Sequence, residues 1–171
     1  MSNAHIRAAT QEDAQFLPAV EQSAGEAFRA LPDLAWIADD RNMSAEQHAS
    51  LIAAGCVWVA EKERRIVGFV SCEMVGDALH VCEMAVMRGE QGRGLGRALL
   101  NTAIEAACAR RAQSVTLTTF RDVVWNAPFY AASGFLVLEA QELDARLRDV
   151  LEEEVAHGLP RERRCAMKLA L

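Results

Sequence analysis

Gln91-Gly92-Arg93-Gly94-Leu95-Gly96 stands between an apolar, strand-like stretch at residues 78–87 and a helical pattern over residues 97–111. Glycine at every second position lets the backbone turn tightly with its N–H groups bare. The helix that follows adds its own unpaired N–H groups and the positive end of its dipole. A strand, a turn and a helix start of this kind cradle a diphosphate. The spacing is not the Gly-x-Gly-x-x-Gly of dinucleotide sites, and no Gly-Lys-Ser/Thr follows to make a P-loop. The run therefore implies a coenzyme whose diphosphate sits on a helix start. A glycine-rich turn that caps a helix and holds no ligand is the plainer alternative.

Outward from this run, the N-terminal side reads as a strand at residues 5–9 and a helix over 11–30 capped by Thr10 and Asp13. Leu31-Pro32-Asp33 ends that helix, and a loop carrying Trp36, Asp39 and Asp40 follows. Ser44 and Gln47 form a capping-box signature for a second helix that stops at Gly55. Strands at 56–61, 66–74 and 78–87 then form a meander, broken by the charged turn at 62–65 and by Gly76-Asp77. On the C-terminal side, a β-branched run at 114–120 returns to the sheet by a parallel crossover. A short helix at 126–132, a strand at 135–139, an amphipathic helix at 143–157 and a last strand at 163–171 complete the chain.

A chain of 171 residues with 51% hydrophobic residues supports one buried core, so a single domain spanning 1–171 is expected. A net charge of −6 and a pI near 5.3 offer no general attraction to phosphate backbones, which argues against nucleic acid as a partner. No apolar run approaches the roughly 20 residues of a membrane span, and no charged-then-apolar leader opens the chain. A soluble, cytoplasmic protein with no membrane partner is expected. The five cysteines are scattered, without a Cys-x-x-Cys pair, and read as small core residues in a reducing compartment. His5, His48, His80 and His157 lie too far apart in sequence for a chelating pattern, so no metal is expected.

Gln91-x-x-Gly94-x-Gly96, preceded by Met84-Ala85-Val86 and followed by Arg97-Ala98-Leu99-Leu100, resembles the acyl-CoA-binding motif of the GNAT N-acetyltransferases. Phe129-Tyr130-x-x-x-Gly134-Phe135 resembles that family's second hallmark. Both motifs occur in the family's order, and the resemblance is sharp over residues 79–138. It implies a mixed α/β fold: a central mixed sheet of about seven strands flanked by helices, here with an extra helix before the last strand. It also implies acetyl-CoA as cosubstrate. The backbone amides of Gln91, Gly92, Arg93, Gly94, Leu95 and Gly96 would hold the pyrophosphate, with Arg93 and Arg97 as charge partners. Met84, Ala85 and Val86 would pair with the pantetheine amides in a slot opened by splayed strands. A backbone N–H near Met84 would polarise the thioester carbonyl. Plain core-strand roles for these three residues remain compatible with the sequence.

Acetyl transfer to an amine moves two protons, one off the ammonium and one onto the departing thiolate. By resemblance Tyr130 is the general acid, since a phenol with a reference pKa of about 10 stays protonated at neutral pH. An amphipathic core tyrosine is the alternative. His80 stands where some family members place the base that deprotonates the amine. Period-two alternation puts His80, Cys82, Met84 and Val86 on one face and Leu79, Val81, Glu83 and Ala85 on the other, so Glu83 is the second candidate. Many family members carry an Asn seven residues before the tyrosine, where this chain has Val123. Asn126 would reach the pantetheine after a loop shift or cap the short helix.

Phe28, Trp36, Asp39, Asp40, Trp125 and the helix bearing Glu152, Glu153 and Glu154 are the acceptor-side candidates, although a glutamate run is usually a solvated face. The resemblance points to direct attack by a primary amine of a small molecule in a ternary complex. Its rivals are an acyl-CoA-binding sensor or interaction module without turnover, peptide or protein N-terminal acetylation, and a covalent route through Cys82. A homodimer paired through C-terminal strands or helices is compatible with the family.

Overall fold

The protein is described by a computed structural model over residues 4–171. The elements are β1 (His5–Ala8), α1 (Leu17–Gly25), α2 (Ala45–Ala53), β2 (Val57–Lys62), β3 (Arg65–Val75), β4 (Ala78–Val86), α3 (Leu95–Ala109), β5 (Ser114–Phe120), α4 (Ala127–Ala131), β6 (Leu136–Val137), α5 (Ala145–His157) and β7 (Arg164–Ala170). They build a seven-stranded sheet in the order β1-β2-β3-β4-β5-β7-β6. β4 and β5 run parallel, while β1–β2, β2–β3, β5–β7 and β6–β7 are antiparallel. This is the mixed sheet expected, with α5 as the extra helix before the last strand. Among the described residues no helix is long and apolar enough to cross a membrane.

On the N-terminal side two expected elements differ, and the strand expected at 135–139 is the two-residue β6. The single helix over 11–30 is a 3-10 segment (Gln11–Phe16), then α1, then a second 3-10 segment (Glu26–Ala30). Pro18 explains the first break: it has no N–H to give to the preceding turn, and it suits only the opening turn of an α-helix. The loop expected after residue 31 is instead a 3-10 segment, Pro32–Asp39. Its first turn again accommodates a proline.

The chain divides into two compact units. One holds the residues up to Met74 together with Cys82–Ala106. Its core gathers Leu17 and Val20 of α1, Ile52 of α2, Val57 and Val59 of β2, Phe69 of β3 and Ala85 of β4. Glu63 and Arg64 both take positive φ (51° and 63°), the two-residue turn whose twist matches a β-hairpin. Arg7 ties β1 down by donating to Asp13 (2.7 Å) and to Glu61 (2.8 Å). The Ser44–Gln47 capping box forms as expected, Gln47 N–H donating to Ser44 Oγ (3.2 Å) and Ser44 N–H to Gln47 Oε1 (2.8 Å).

The second unit comprises Val75–Val81 and Ala107–Leu171. The first residues of β4 register on β5 as Ala78↔Ser114, Leu79↔Val115 and His80↔Thr116. β7 pairs along all of β5 and carries the two residues of β6 on its other edge. Val115, Leu117, Phe135, Leu147, Cys165 and Met167 are buried. α5 starts on Asp144, whose carboxylate accepts from Leu147 N–H (2.8 Å), and ends at the left-handed Gly158. Glu154 on this helix accepts two bonds from Arg164 of β7 (2.9 Å each) and one from Thr118 of β5. One member of the glutamate run is therefore a packing anchor.

Gly68 on β3 makes the tightest approach among the glycines of the first unit. A Cβ there would lie 3.1 Å from the Ala85 carbonyl oxygen and 3.2 Å from Leu99 Cδ1. A backbone carbonyl cannot swing aside as a side chain can, so Gly68→Ala is expected to cost about 1–3 kcal/mol. Urea unfolding of the two proteins measures this, and equal midpoints would show that β4 yields freely at Ala85.

Candidate active site

The last residues of β4 lead through a short 3-10 turn, Arg88–Glu90, into the glycine run and then α3. Gly92 and Gly94 have φ of +76° and +84°. A Cβ on either would meet nothing within 4 Å, so the left-handed backbone rather than crowding demands glycine, and the space over the turn is open. Gln91 Nε2 donates to the Val86 carbonyl (3.0 Å) while its Oε1 accepts from Arg88 (3.0 Å), bolting the turn to the end of β4. Glu90 accepts from Lys62 (2.9 Å) and Arg93 (3.2 Å), which offsets the one acidic charge beside the run.

α3 begins at Leu95, two residues before the expected start. Its first internal bond is Ala98 N–H to the Gly94 carbonyl (3.0 Å), so the amides of Leu95, Gly96 and Arg97 lie ahead of the helical ladder. Leu99, Leu100, Ala103 and Ala107 are buried and fix the helix. The arrangement fits a diphosphate: open space above two glycines, a row of N–H groups at a helix start, and the exposed cationic side chains of Arg93 and Arg97.

On β4, Met84 and Val86 are half-buried and Ala85 is buried in the core with Leu17 and Val20. Glu83, two residues before Ala85, shares its face and thus looks toward α1 and α2. Its Oε1 accepts from the Met84 N–H (3.0 Å), in the stretch where the resemblance places the amide that polarises the thioester carbonyl. Glu21 of α1 is close enough to Glu83 to meet its like charge. Burial first, then the like charge of Glu83, and last that of Asp40 lift the Glu21 carboxyl to about 8, against a lowering bond from Met43 N–H (3.1 Å). Beneath Glu21 lies His48 of α2, fully buried, with Nε2 4.0 Å from Glu21 Oε2. His48 Nδ1 is 3.0 Å from Ser71 Oγ and the ring stands edge-on to Phe69, leaving Nε2 without a hydrogen-bond partner. Asp39 is drawn off to Arg29 (2.7 Å).

In the second unit, His80 is 5% exposed, and its Nδ1 lies 2.9 Å from Thr116 Oγ1 of β5. Burial, helped by Arg146 and opposed by Asp144, lowers its pKa to about 4, so the ring is neutral at physiological pH. Tyr130 on α4 is buried, edge-on to Phe129 (5.1 Å) and Phe135 (5.9 Å). Gly134 turns the chain at φ +93° so that Phe135 can enter the core. Asn126 holds the N-cap position of α4, yet its side chain makes no capping bond; only its carbonyl serves the helix, accepting from Tyr130 N–H (3.2 Å). Val123, at the position of the family's asparagine, is buried.

A family model described as the acetyltransferase (GNAT) family matches residues 17–135, more than half of the sequence. The chain belongs to the GNAT family. Acetyl-CoA is that family's cosubstrate. Solved structures share the fold. A PaiA N-acetyltransferase from Thermoplasma acidophilum, in complex with coenzyme A, is 17% identical with a TM-score of 0.71 and full coverage of both chains. The ribosomal-protein-S18-alanine N-acetyltransferase of Escherichia coli is 17% identical, with a TM-score of 0.67 over 98% of this chain and 93% of that one. N-acetylglutamate synthase of Neisseria gonorrhoeae, complexed with coenzyme A and N-acetyl-glutamate, is 17% identical at a TM-score of 0.69; all of this chain covers 36% of it.

Sequence reading missed Glu21, His48 and Gly68. A helical glutamate and a lone histidine carry no signal of their own, and only packing brings the two together. Their ionisation shapes stability. Between pH 6.5 and about 4 the unfolded chain takes up protons that His48 and His80 refuse, so stability falls as pH drops through that window. Between about 4.5 and 8 the folded chain keeps a proton on Glu21 that the unfolded chain has lost, so stability falls as pH rises. Urea midpoints should therefore peak near pH 6.5, and Glu21→Gln should flatten the decline toward pH 8. A decline of equal depth in both proteins would show that Glu21 titrates normally.

Proposed function

We propose that this GNAT protein transfers an acetyl group from acetyl-CoA to a primary amine of a small molecule, by direct attack in a ternary complex. The observation that carries the reading is the open, positive-φ glycine turn that delivers unpaired amides at the start of α3, directly after β4. In this reading the amides of Gln91 to Gly96 hold the pyrophosphate, with Arg93 and Arg97 supplying charge, and Met84, Ala85 and Val86 line the pantetheine. Acetyl-CoA, when bound, supplies the activated acyl group as a thioester.

The Met84 N–H polarises the thioester carbonyl once Glu83 Oε1 is displaced from it. That displacement turns the Glu83 carboxylate toward the acceptor side and favours it as a base over His80, whose buried ring is engaged at Nδ1 and has a depressed pKa. Tyr130 protonates the leaving thiolate, and Asn126, whose side chain is not used in capping, is available to the pantetheine. The fold likeness does not choose an acceptor class. One of the similar structures is named for a ribosomal protein alanine and another for glutamate. A cytoplasmic location fits five cysteines that form no disulfide.

Calorimetric titration with acetyl-CoA tests the cradle. Saturable binding by the wild type and its loss in Gly94→Leu, where φ is +84°, is the expected result. Absence of wild-type binding would sink the reading. Tyr130→Phe should keep that binding while thiol release in the presence of primary amines drops by about 10²–10⁴-fold. Unchanged release would remove Tyr130 from the chemistry, and binding without any release would point to the sensor module.

A further inference from the structure

A cavity of about 260 Å³ lies in the second unit, under the C-terminal half of α5. The strands make its floor. The register Val137↔Met167 continues to Leu138 opposite Ala166, whose carbonyl accepts from Leu138 N–H (2.9 Å), while Ala166 and Arg164 stand opposite Thr118 and Phe120 of β5. Residues opposite one another across a sheet share a face, so Leu138, Ala166 and Arg164 lie on the face that carries Thr118. The Thr118 hydroxyl donates to Glu154 (2.5 Å), which marks that face as the one under α5. The roof is apolar. Leu147, Leu151 and Val155 follow one another at helical spacing, yet only Leu147 is fully buried; Leu151 and Val155 stay half-buried and line the cavity with Leu143. Glu154, on the same side of the helix, meets Arg164 (2.9 Å), so a charged pair stands where apolar contact between helix and sheet would otherwise close. Apolar side chains over a void forfeit the contacts that a filled core gives them.

Arginines crowd this end of the sheet, and their partners differ. Arg161 donates to both oxygens of Glu152 (2.5 and 2.6 Å), and Arg163 to both of Asp122 (3.2 and 2.9 Å). Arg164 donates to both oxygens of Glu154 (2.9 Å each) and lies 4.6 Å from the centroid of the Phe120 ring, so it is a fixed wall. Arg121 also lines the cavity, but it holds no carboxylate: its one side-chain bond runs from Nη2 to the Arg164 carbonyl at 3.4 Å. That bond is long and leaves most of the planar donor fork open. Glu139 is the acidic member of the lining; it is exposed, and its N–H is held by the Glu142 carboxylate (2.7 Å).

We propose that this cavity binds a small amphipathic carboxylate, with its apolar body between α5 and the β5–β7–β6 face and its carboxylate on Arg121. The ligand class follows from the lining. An apolar slot beside one uncommitted guanidinium selects a molecule with a single anionic end, and the guanidinium fork matches a carboxylate with two parallel bonds. A bare phosphate or sulfate would leave Leu138, Leu151 and Val155 uncovered, and a neutral hydrocarbon would leave Arg121 unused. The volume sets the size. Sites for drug-sized ligands run upward from about 300 Å³, so the occupant is smaller than those, a short-chain acid. The cavity shares no residue with the glycine cradle, so the proposal stands independently of the acetyl-transfer reading.

The test uses the full chain with leucine and valine methyls labelled with carbon-13, titrated by NMR with sodium 4-methylpentanoate up to about 20 mM. The Leu151 and Val155 methyl signals, assigned by their loss in Leu151→Met and Val155→Ile, should shift saturably. The uncharged analogue 4-methylpentanamide should bind at least about 10-fold more weakly, and Arg121→Gln should weaken binding of the acid to the same degree. Arg121 is exposed, so this variant keeps the fold. Leu151→Phe, which fills the slot, should abolish binding as read through the Val155 methyls. Isoamylammonium chloride presents the same body with the opposite charge and should not bind. The proposal is overturned by the absence of a saturable shift in the wild type, by equal affinity for acid and amide, or by full affinity in Arg121→Gln. Binding retained in Leu151→Phe would place the ligand elsewhere and overturn it too, and tighter binding of the ammonium would make Glu139 the anchor in place of Arg121.

Discussion

The left-handed turn at Gly92 and Gly94 is the constraint from which the cofactor side of this protein follows. β4 ends at Val86 and α3 begins at Leu95, and the chain must reverse from strand to helix between them while leaving amides uncovered. Two residues at φ near +80° do this at no steric cost only if both are glycine. Everything nearby braces that turn. Gln91 fastens it to the Val86 carbonyl, Glu90 is neutralised by Lys62 and Arg93, and Leu99 and Leu100 anchor the helix behind it. The helix start is thereby preorganised to meet an anion without reordering itself.

The surroundings of Glu21 follow another principle. The cradle presents donors to a negative ligand, whereas Glu21, Glu83 and Asp40 crowd like charges around a buried histidine that lacks one partner. Burial and neighbouring like charge make the ionised form of Glu21 costly in the folded state. The cost is local because the surrounding core of Leu17, Val20, Phe69 and Ala85 is densely apolar and holds α1 and β4 in place. Glu83 in turn accepts from the backbone amide of Met84, which ties its carboxylate to β4 itself.

Much of this was legible beforehand. The glycine run, the Ser44–Gln47 cap, the meander of β2 to β4 and the full extent of β5 follow from local rules, since turn chemistry, capping and β-branched runs act within a few residues. The alternation on β4 placed Glu83 and Ala85 on one face, and the burial of Ala85 agrees with it. Less legible were the segmented first helix, where Pro18 overrides an otherwise helical spacing, and β6, which pairs with β7 over two residues only. His80 reads as a candidate base in sequence terms, and the structure buries it beside Thr116.

The sequence by itself determined the strand–glycine–helix cradle and the order of elements, because backbone conformation and hydrophobic period are local properties of consecutive residues. Only the tertiary structure decided that β7 lies between β5 and β6, that Gly68 leaves no room for a Cβ beside the Ala85 carbonyl, and that His48 lies 4.0 Å from a buried Glu21 whose charge meets that of Glu83. Those facts depend on residues from separate elements meeting across the core. A pKa, a close contact and an orphaned nitrogen exist only once the neighbours that cause them are in place.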